Sequence, residues 1–226
     1  MVFSRVKCEI LDRKIYISLN CYITITKMLK KDETKILKLL LNDMTKQWTI
    51  REISHALHQN YFQTHRTITA LEKTKQISLT PIGKSKIVGL DFTQHNLNYT
   101  IAEMERERDI TKNKNIFLIK KQLLHLNKQF VCLLFGGQVK KQKRESDIDL
   151  LFVIPNEISY EVFEREVRLH LSPYNCDINI VTQTGLFEMW SNPKKLTVGN
   201  ELFKNHVVLY GAEHFMNLVR CHYVGQ

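Results

Sequence analysis

The chain has 226 residues, 43% hydrophobic and 25% charged, a globular balance that excludes an intrinsically disordered protein. No apolar run reaches the ~18 residues of a membrane span, so no membrane association is expected. The cysteines are five, an odd count without a CxxC pair, and this speaks against a disulfide framework or a zinc finger.

Reduced thiols fit a cytoplasmic location. The moderately apolar stretch Ile15–Leu29 is interrupted by Asn20 and Lys27 and lacks a small-residue cleavage site, so it is not read as a signal peptide. The net charge is +10 and is unevenly placed. Residues 1–95 hold 16 Lys and Arg against 8 Asp and Glu, and residues 96–226 hold 17 against 15. A basic front half favours a polyanionic partner, nucleic acid above all, with plain solubility as the simpler alternative.

Residues 1–30 alternate apolar and polar positions (Ile15, Ile17, Leu19, then Ile23, Ile25) and read as a β-rich lead-in of unknown role. Asp32 opens a helix through Ile36, Leu37, Leu40 and Leu41. Thr49-Ile-Arg-Glu52 has capping-box spacing and starts a second helix. Asn60-Tyr-Phe-Gln63 reads the same way for a third helix ending near Lys73. Strand-like runs Ile77–Thr80 and Lys86–Phe92 follow, around a turn at Pro81-Ile-Gly83.

Three helices and a hairpin, over residues 31–95, resemble a winged helix-turn-helix. In the third helix Tyr61, Thr64, Ile68 and Leu71 share a face and are expected inside, while Gln63, Arg66 and Lys73 point away. The resemblance implies duplex DNA as partner. Gln63 and Arg66 would read base edges, with Lys73 beside them and Lys84 and Lys86 of the hairpin on phosphates. The same fold also serves dimerisation or partner docking, and a homodimer stays open.

Residues 96–128 read as a charged helical linker. Thr100-Ile-Ala-Glu103 has cap spacing, and Glu103, Glu105, Arg106, Glu107 and Arg108 are expected to form a solvated face. From residue 129 the pattern changes to alternating strands and helices. Phe130–Phe135, Ile148–Ile154 and Asp177–Val181 read as strands. Glu157–Leu171 reads as an amphipathic helix with Ile158, Val162 and Leu171 inward. Thr184–Trp190 and Glu201–Val208 read as short helices or turns. The fold class is therefore α+β, with a small mixed sheet in the second domain, 129–226.

The chemistry sits between the first two of these strands. Gly136-Gly137 ends one strand, and Ser146-Asp147-Ile-Asp149 begins the next. Strand side chains alternate, so Asp147 and Asp149 project from one side with Cα atoms ~6–7 Å apart. Two carboxylates so placed repel unless a cation lies between them, and hard oxygen donors suit Mg²⁺ or Mn²⁺. Glycines permit close approach of backbone N–H groups to phosphates. The basic run Lys140, Lys141, Lys143 and Arg144 suits a triphosphate or an RNA. Asp-X-Asp alone is a common strand-end pattern. The joint order of apolar strand, Gly-Gly, nine residues and Asp-apolar-Asp-apolar is specific.

This order resembles the DNA polymerase β-like nucleotidyltransferase superfamily, in particular its minimal, antitoxin-type branch. Gly136, Gly137, Asp147 and Asp149 match its signature position by position. The likeness spans residues 117–216, including Val208-Leu-Tyr-Gly-Ala-Glu213. It implies two divalent ions and transfer of a nucleotide from an NTP, ATP by preference. Asp177 in Cys176-Asp-Ile-Asn-Ile-Val-Thr182 matches the expected third carboxylate. By the same analogy Asp147, Asp149 and Asp177 are both metal ligands and catalytic residues, with Asp177 as general base. Gly136, Gly137, Lys140 and Ser146 would bind the nucleotide.

Many members carry Ser where this chain has Gly137, and Ala, Arg and Gly where it has Val139-Lys140-Lys141. These departures bear on nucleotide preference more than on the metal site. The acceptor implied is a hydroxyl on a partner protein, as in toxin–antitoxin pairs, or a tRNA end. The competing reading is a DNA-binding regulator whose transferase fold is inactive or senses nucleotide.

Overall fold

Acidic side chains start the first described helix. In the computed structural model, residues 29–139, 147–191 and 202–225 are described. Asp32 and Glu33 lie in the first turn of α1 (Lys31–Asn42), where negative charge meets the helix dipole, and the Glu33 carboxylate accepts the Lys30 N–H at 2.8 Å. Strand β1 (Trp48–Thr49) leads into α2 (Ile50–Ala56). There the Thr49–Glu52 box closes in both directions, with Glu52 N–H on Thr49 Oγ1 at 3.2 Å and Thr49 N–H on Glu52 Oε2 at 2.7 Å.

Asn60 caps α3 (Tyr61–Lys73) by accepting the Phe62 N–H. Strands β2 (Ile77–Ile82) and β3 (Ser85–Leu90) form a hairpin closed at Ile82 and Ser85. Its turn begins at Gly83, φ 58°, a left-handed value that glycine adopts without strain. β1 adds to β3, giving a three-stranded antiparallel sheet in the order β1-β3-β2.

Helices α4 (Leu97–Ile110) and α5 (Lys114–Leu123) precede a second sheet. It is built from β4 (Val131–Phe135), β5 (Ile148–Ile154), β6 (Cys176–Thr182) and β7 (Val207–Tyr210) in the order β6-β5-β4-β7. β5 pairs parallel with β6, across the helical crossover α6 (Tyr160–Leu171); the other two pairings are antiparallel. Helices α7 (Gln183–Trp190) and α8 (Ala212–Val224) complete the elements of the described residues. The class is α+β with two small sheets. Among the described residues no helix is long and apolar enough to cross a membrane.

The second sheet is apolar on both faces, which sorts its side chains by parity. Cys132, Leu134, Leu150, Phe152 and Ile154 pack under α5 and α6 with Ile116, Ile119, Phe163 and Val167. Val131, Leu133, Leu151 and Val153 face the other way, into one core with Leu186 and Trp190 of α7 and Phe215 and Val219 of α8. That core continues into Ile36, Leu40, Ile53, Ile68 and Val88 of the front unit. Main-chain hydrogen bonds reinforce the join, from Met44 N–H to the Phe203 carbonyl at 2.8 Å and from Asn205 N–H to the Asn42 carbonyl at 2.7 Å.

Helix α4 is capped by Asn96, which accepts the Asn98 N–H at 3.0 Å, four residues before the expected box opens at Thr100. Tyr61 is exposed while Thr64, Ile68 and Leu71 are buried, because Tyr61 lies in the first turn, beyond the reach of the core. On α6 the inward residues are Phe163, Val167 and Leu171, and Val162 is exposed. The stretch before Val208 ends in a strand, β7, that needs β4 as partner and so carries little local signal.

The largest correction is on α4. Glu103 and Arg106, expected on a solvated face, are buried. Arg106 donates to Glu103 Oε1 and to the His206 carbonyl, and reaches Asn42 Oδ1 at 3.2 Å. His206 Nε2 lies 3.6 Å from the same Glu103 oxygen. Burial alone would push the Glu103 carboxyl up, but Arg106 and His206 outweigh it and hold it below the ordinary range. Burial holds His206 below its ordinary 6.5, against the pull of Glu103.

A pH dependence follows. The folded chain keeps His206 neutral, so its contribution is fully present above pH 6.5 and is lost as pH falls below that value. Urea unfolding between pH 7.5 and 5.5 is expected to show stability falling by up to about 1.4 kcal/mol per pH unit for each such group. His214, also lowered by burial, adds to the slope. His206→Gln should flatten it, and an unchanged slope in that variant would remove His206 from the account.

Candidate active site and basic groove

The three acids come together where β5 and β6 begin. Asp149 and Asp177 are register partners on parallel neighbours, and neighbouring strands lie about 4.8 Å apart. Asp147 stands just before β5, and both Asp147 and Asp177 are exposed. Asp149 shares strand parity with Leu151 and Val153, so the acids sit on the face that also carries α7, α8 and the front unit.

The glycine pair is fitted to Asp149. Phe135, the last residue of β4, pairs with Asp149, and the chain then turns through a 3₁₀ segment, Gly136–Gln138. Gly136 has φ 73°, and a Cβ there would lie 2.0 Å from Asp149 Oδ2. No side chain fits between that backbone and the carboxylate. The next N–H, of Gly137, donates to the Asp149 carboxylate. Burial first, then the neighbouring Asp177 and Asp147, raise the Asp149 carboxyl above its ordinary value, and the Gly137 N–H offsets part of that rise. A cation between these oxygens would relieve the repulsion.

The outer two acids are hydrogen-bonded to amides. Asn175 Nδ2 donates to Asp147 Oδ1, and Asn179 Nδ2 to Asp177 Oδ2 at 3.3 Å. Among the described residues no three His, Cys, Asp or Glu side chains close on a common point. The donor set of three carboxylates in one row is nonetheless of the hard-oxygen type that suits Mg²⁺ or Mn²⁺. Neither asparagine was singled out in the sequence. Asn179 shares the face of Asp177 by strand alternation, and that was the available signal; Asn175 enters only through the parallel pairing. Lys140, Lys141, Lys143, Arg144 and Ser146 lie outside the described residues, as does all but the end of the 1–30 lead-in.

A second feature lies 50 or more residues earlier in the chain. Arg51 and His55 of α2, Tyr61 and His65 of α3, and Lys84 and Lys86 of the hairpin line one groove of about 770 Å³. Lys84 and Lys86 are thus brought together with three further basic side chains, Arg51, His55 and His65. Arg51–His55 and Tyr61–His65 are i,i+4 pairs, a spacing that puts each pair on one helix face. Arg66 and Lys73 are exposed on α3 but are not part of the groove lining. Gln63 is turned toward α1, its amide 3.3 Å from Asp32 Oδ2, beside Gln59 at 2.9 Å from Oδ1.

Set against protein-family models, curated proteins and solved structures, the chain finds no match in any of the three.

Proposed function

We propose that the chain is a metal-dependent nucleotidyltransferase that moves NMP from an NTP, ATP by preference, to a macromolecular hydroxyl, and that its front unit is a DNA-binding winged helix-turn-helix. The observation that carries the reading is the fit of Gly136 and Gly137 around Asp149, with Asp177 as its register partner. A half-buried acid beside two others, with its carboxylate in the space a side chain would occupy, has a purpose in cation binding and none in the core.

Asp147, Asp149 and Asp177 would hold Mg²⁺ or Mn²⁺, which supplies charge stabilisation for the attacking and leaving oxygens of an in-line displacement. The acceptor oxygen bonds to the α-phosphorus, the bond to the pyrophosphate oxygen breaks, and Asp177 takes the acceptor proton. A protein or tRNA acceptor docks with its hydroxyl already oriented, which supplies the positioning the displacement needs. A partner-protein hydroxyl, as in toxin–antitoxin pairs, is the preferred acceptor.

The test is co-expression with the product of the neighbouring gene. Intact-mass spectrometry should show one or more added nucleotide masses on that protein, absent with Asp149→Asn. If tRNA instead gains nucleotides at its 3′ end, RNA is the acceptor. Unchanged activity in Asp149→Asn would overturn the assignment of the site.

The basic groove favours DNA as the second partner, since five basic side chains line one open channel. Binding to duplex DNA should weaken steeply with salt. Lys84→Ala should weaken all sequences alike and flatten the log–log salt slope by about one unit. An unaltered slope in a filter-binding titration would remove Lys84 from the phosphate contacts. A protein that binds DNA and transfers no nucleotide would favour the regulator reading.

A further inference from the structure

Asn175 stands immediately before β6, and its carbonyl accepts the Ile148 N–H at 3.1 Å, so its backbone is fixed to the start of β5. From there its amide donates to Asp147. We infer that Asn175 is a positioning residue, which sets the Asp147 carboxylate in the orientation that takes a divalent cation. The inference rests on the transferase reading above.

Asp147 is exposed and precedes the strand, so nothing in the core selects its rotamer. The amide of Asn175 supplies that selection. A carboxylate has two oxygens and about four lone-pair sites, so one N–H on Oδ1 leaves Oδ2 available to a cation.

The choice of amide is chemically pointed. A lysine at this position would neutralise Asp147 and compete with a cation for it. An amide donates a hydrogen bond and adds no charge. The same device recurs four residues on, where Asn179 donates to Asp177. Asn179 shares one side of β6 with Asp177 by strand alternation, and Asn175 reaches Asp147 from just before that strand, so the acids are flanked by neutral donors. Hydrogen bonds of this kind to ligating carboxylates typically change metal affinity or activity by about 10–100-fold when removed.

The full chain would be titrated with Mn²⁺, alone and with a mixture of the four non-hydrolysable NTP analogues, following free Mn²⁺ by electron paramagnetic resonance. Thermal midpoints without metal would be recorded in parallel. Asn175→Ala is expected to raise the Mn²⁺ Kd about 10-fold or more, and Asn175→Ser, which keeps a hydroxyl donor, to recover part of the loss. A lowered midpoint with unchanged Kd would mean that Asn175 serves only the strand start, and would overturn the assignment alone. No Mn²⁺ bound by the unaltered chain would overturn the transferase reading and this assignment with it.

Discussion

Gly136→Ala is expected, on the proposed transferase reading, to abolish nucleotide transfer while leaving a folded protein. The new Cβ would lie 2.0 Å from Asp149 Oδ2 and 2.9 Å from its Cγ, so the carboxylate must rotate away from the Gly137 N–H. The backbone adds a second penalty. At φ 73° a non-glycine residue is strained by about 1–2 kcal/mol. That is tolerable for the fold, since Asp149 is only half-buried and Gly136 is not in the core. It is not tolerable for in-line chemistry, in which a displacement of about 1 Å can reduce the rate about 100-fold. Transfer of labelled NTP and the unfolding midpoint, measured on one preparation, separate the two effects. Retained transfer would mean that Asp149 is not required where the structure holds it. A collapse of the fold, with no assayable protein, would mean that the glycine is structural.

Arg106→Ala is expected to be the most destabilising single change outside the apolar core. Its guanidinium is the main cation facing Glu103, whose side chain is wholly buried, and it also bonds the Asn42 side chain and the His206 carbonyl. Removing it leaves a buried carboxylate against a neutral histidine, a loss of about 3–5 kcal/mol by analogy with broken buried ion pairs. Urea denaturation at pH 7.5 would measure it. The double variant Glu103→Met with Arg106→Met should lose less than Arg106→Ala, because it removes the stranded charge as well as the pair. A loss below about 1 kcal/mol for Arg106→Ala would mean that water reaches Glu103 and that the buried ion pair adds little to the join between the two halves.

Because α4 carries both of these residues and packs on α1, α8 and β7, the front unit and the second sheet share one core instead of being strung on a linker. The charged pattern of residues 103–108 hid this. On composition it reads as surface, and only His206 and Asn42, 100 and 64 residues away from Arg106, explain why two of its charges are inside.

What the sequence determined by itself was local. The Thr49–Glu52 spacing dictates a capping box, and the Asn60 cap and the 3.6-residue periodicity set α3 to within a residue. Alternation puts Asp149 on one side of β5 with Leu151 and Val153, and the glycine pair marks the end of β4. These features depend on neighbours within a few positions, whose geometry the backbone fixes. Only the tertiary structure decided the rest. The parallel pairing of β5 with β6 sets Asp177 beside Asp149 and Asn175 beside Asp147, 28 residues apart in each case. β7 exists because β4 offers it an edge, and Gln63 turns to Asp32 because α1 and α3 pack together. Hydrogen-bond partners chosen across a sheet or between helices depend on register and packing of the whole chain, and no local pattern encodes them.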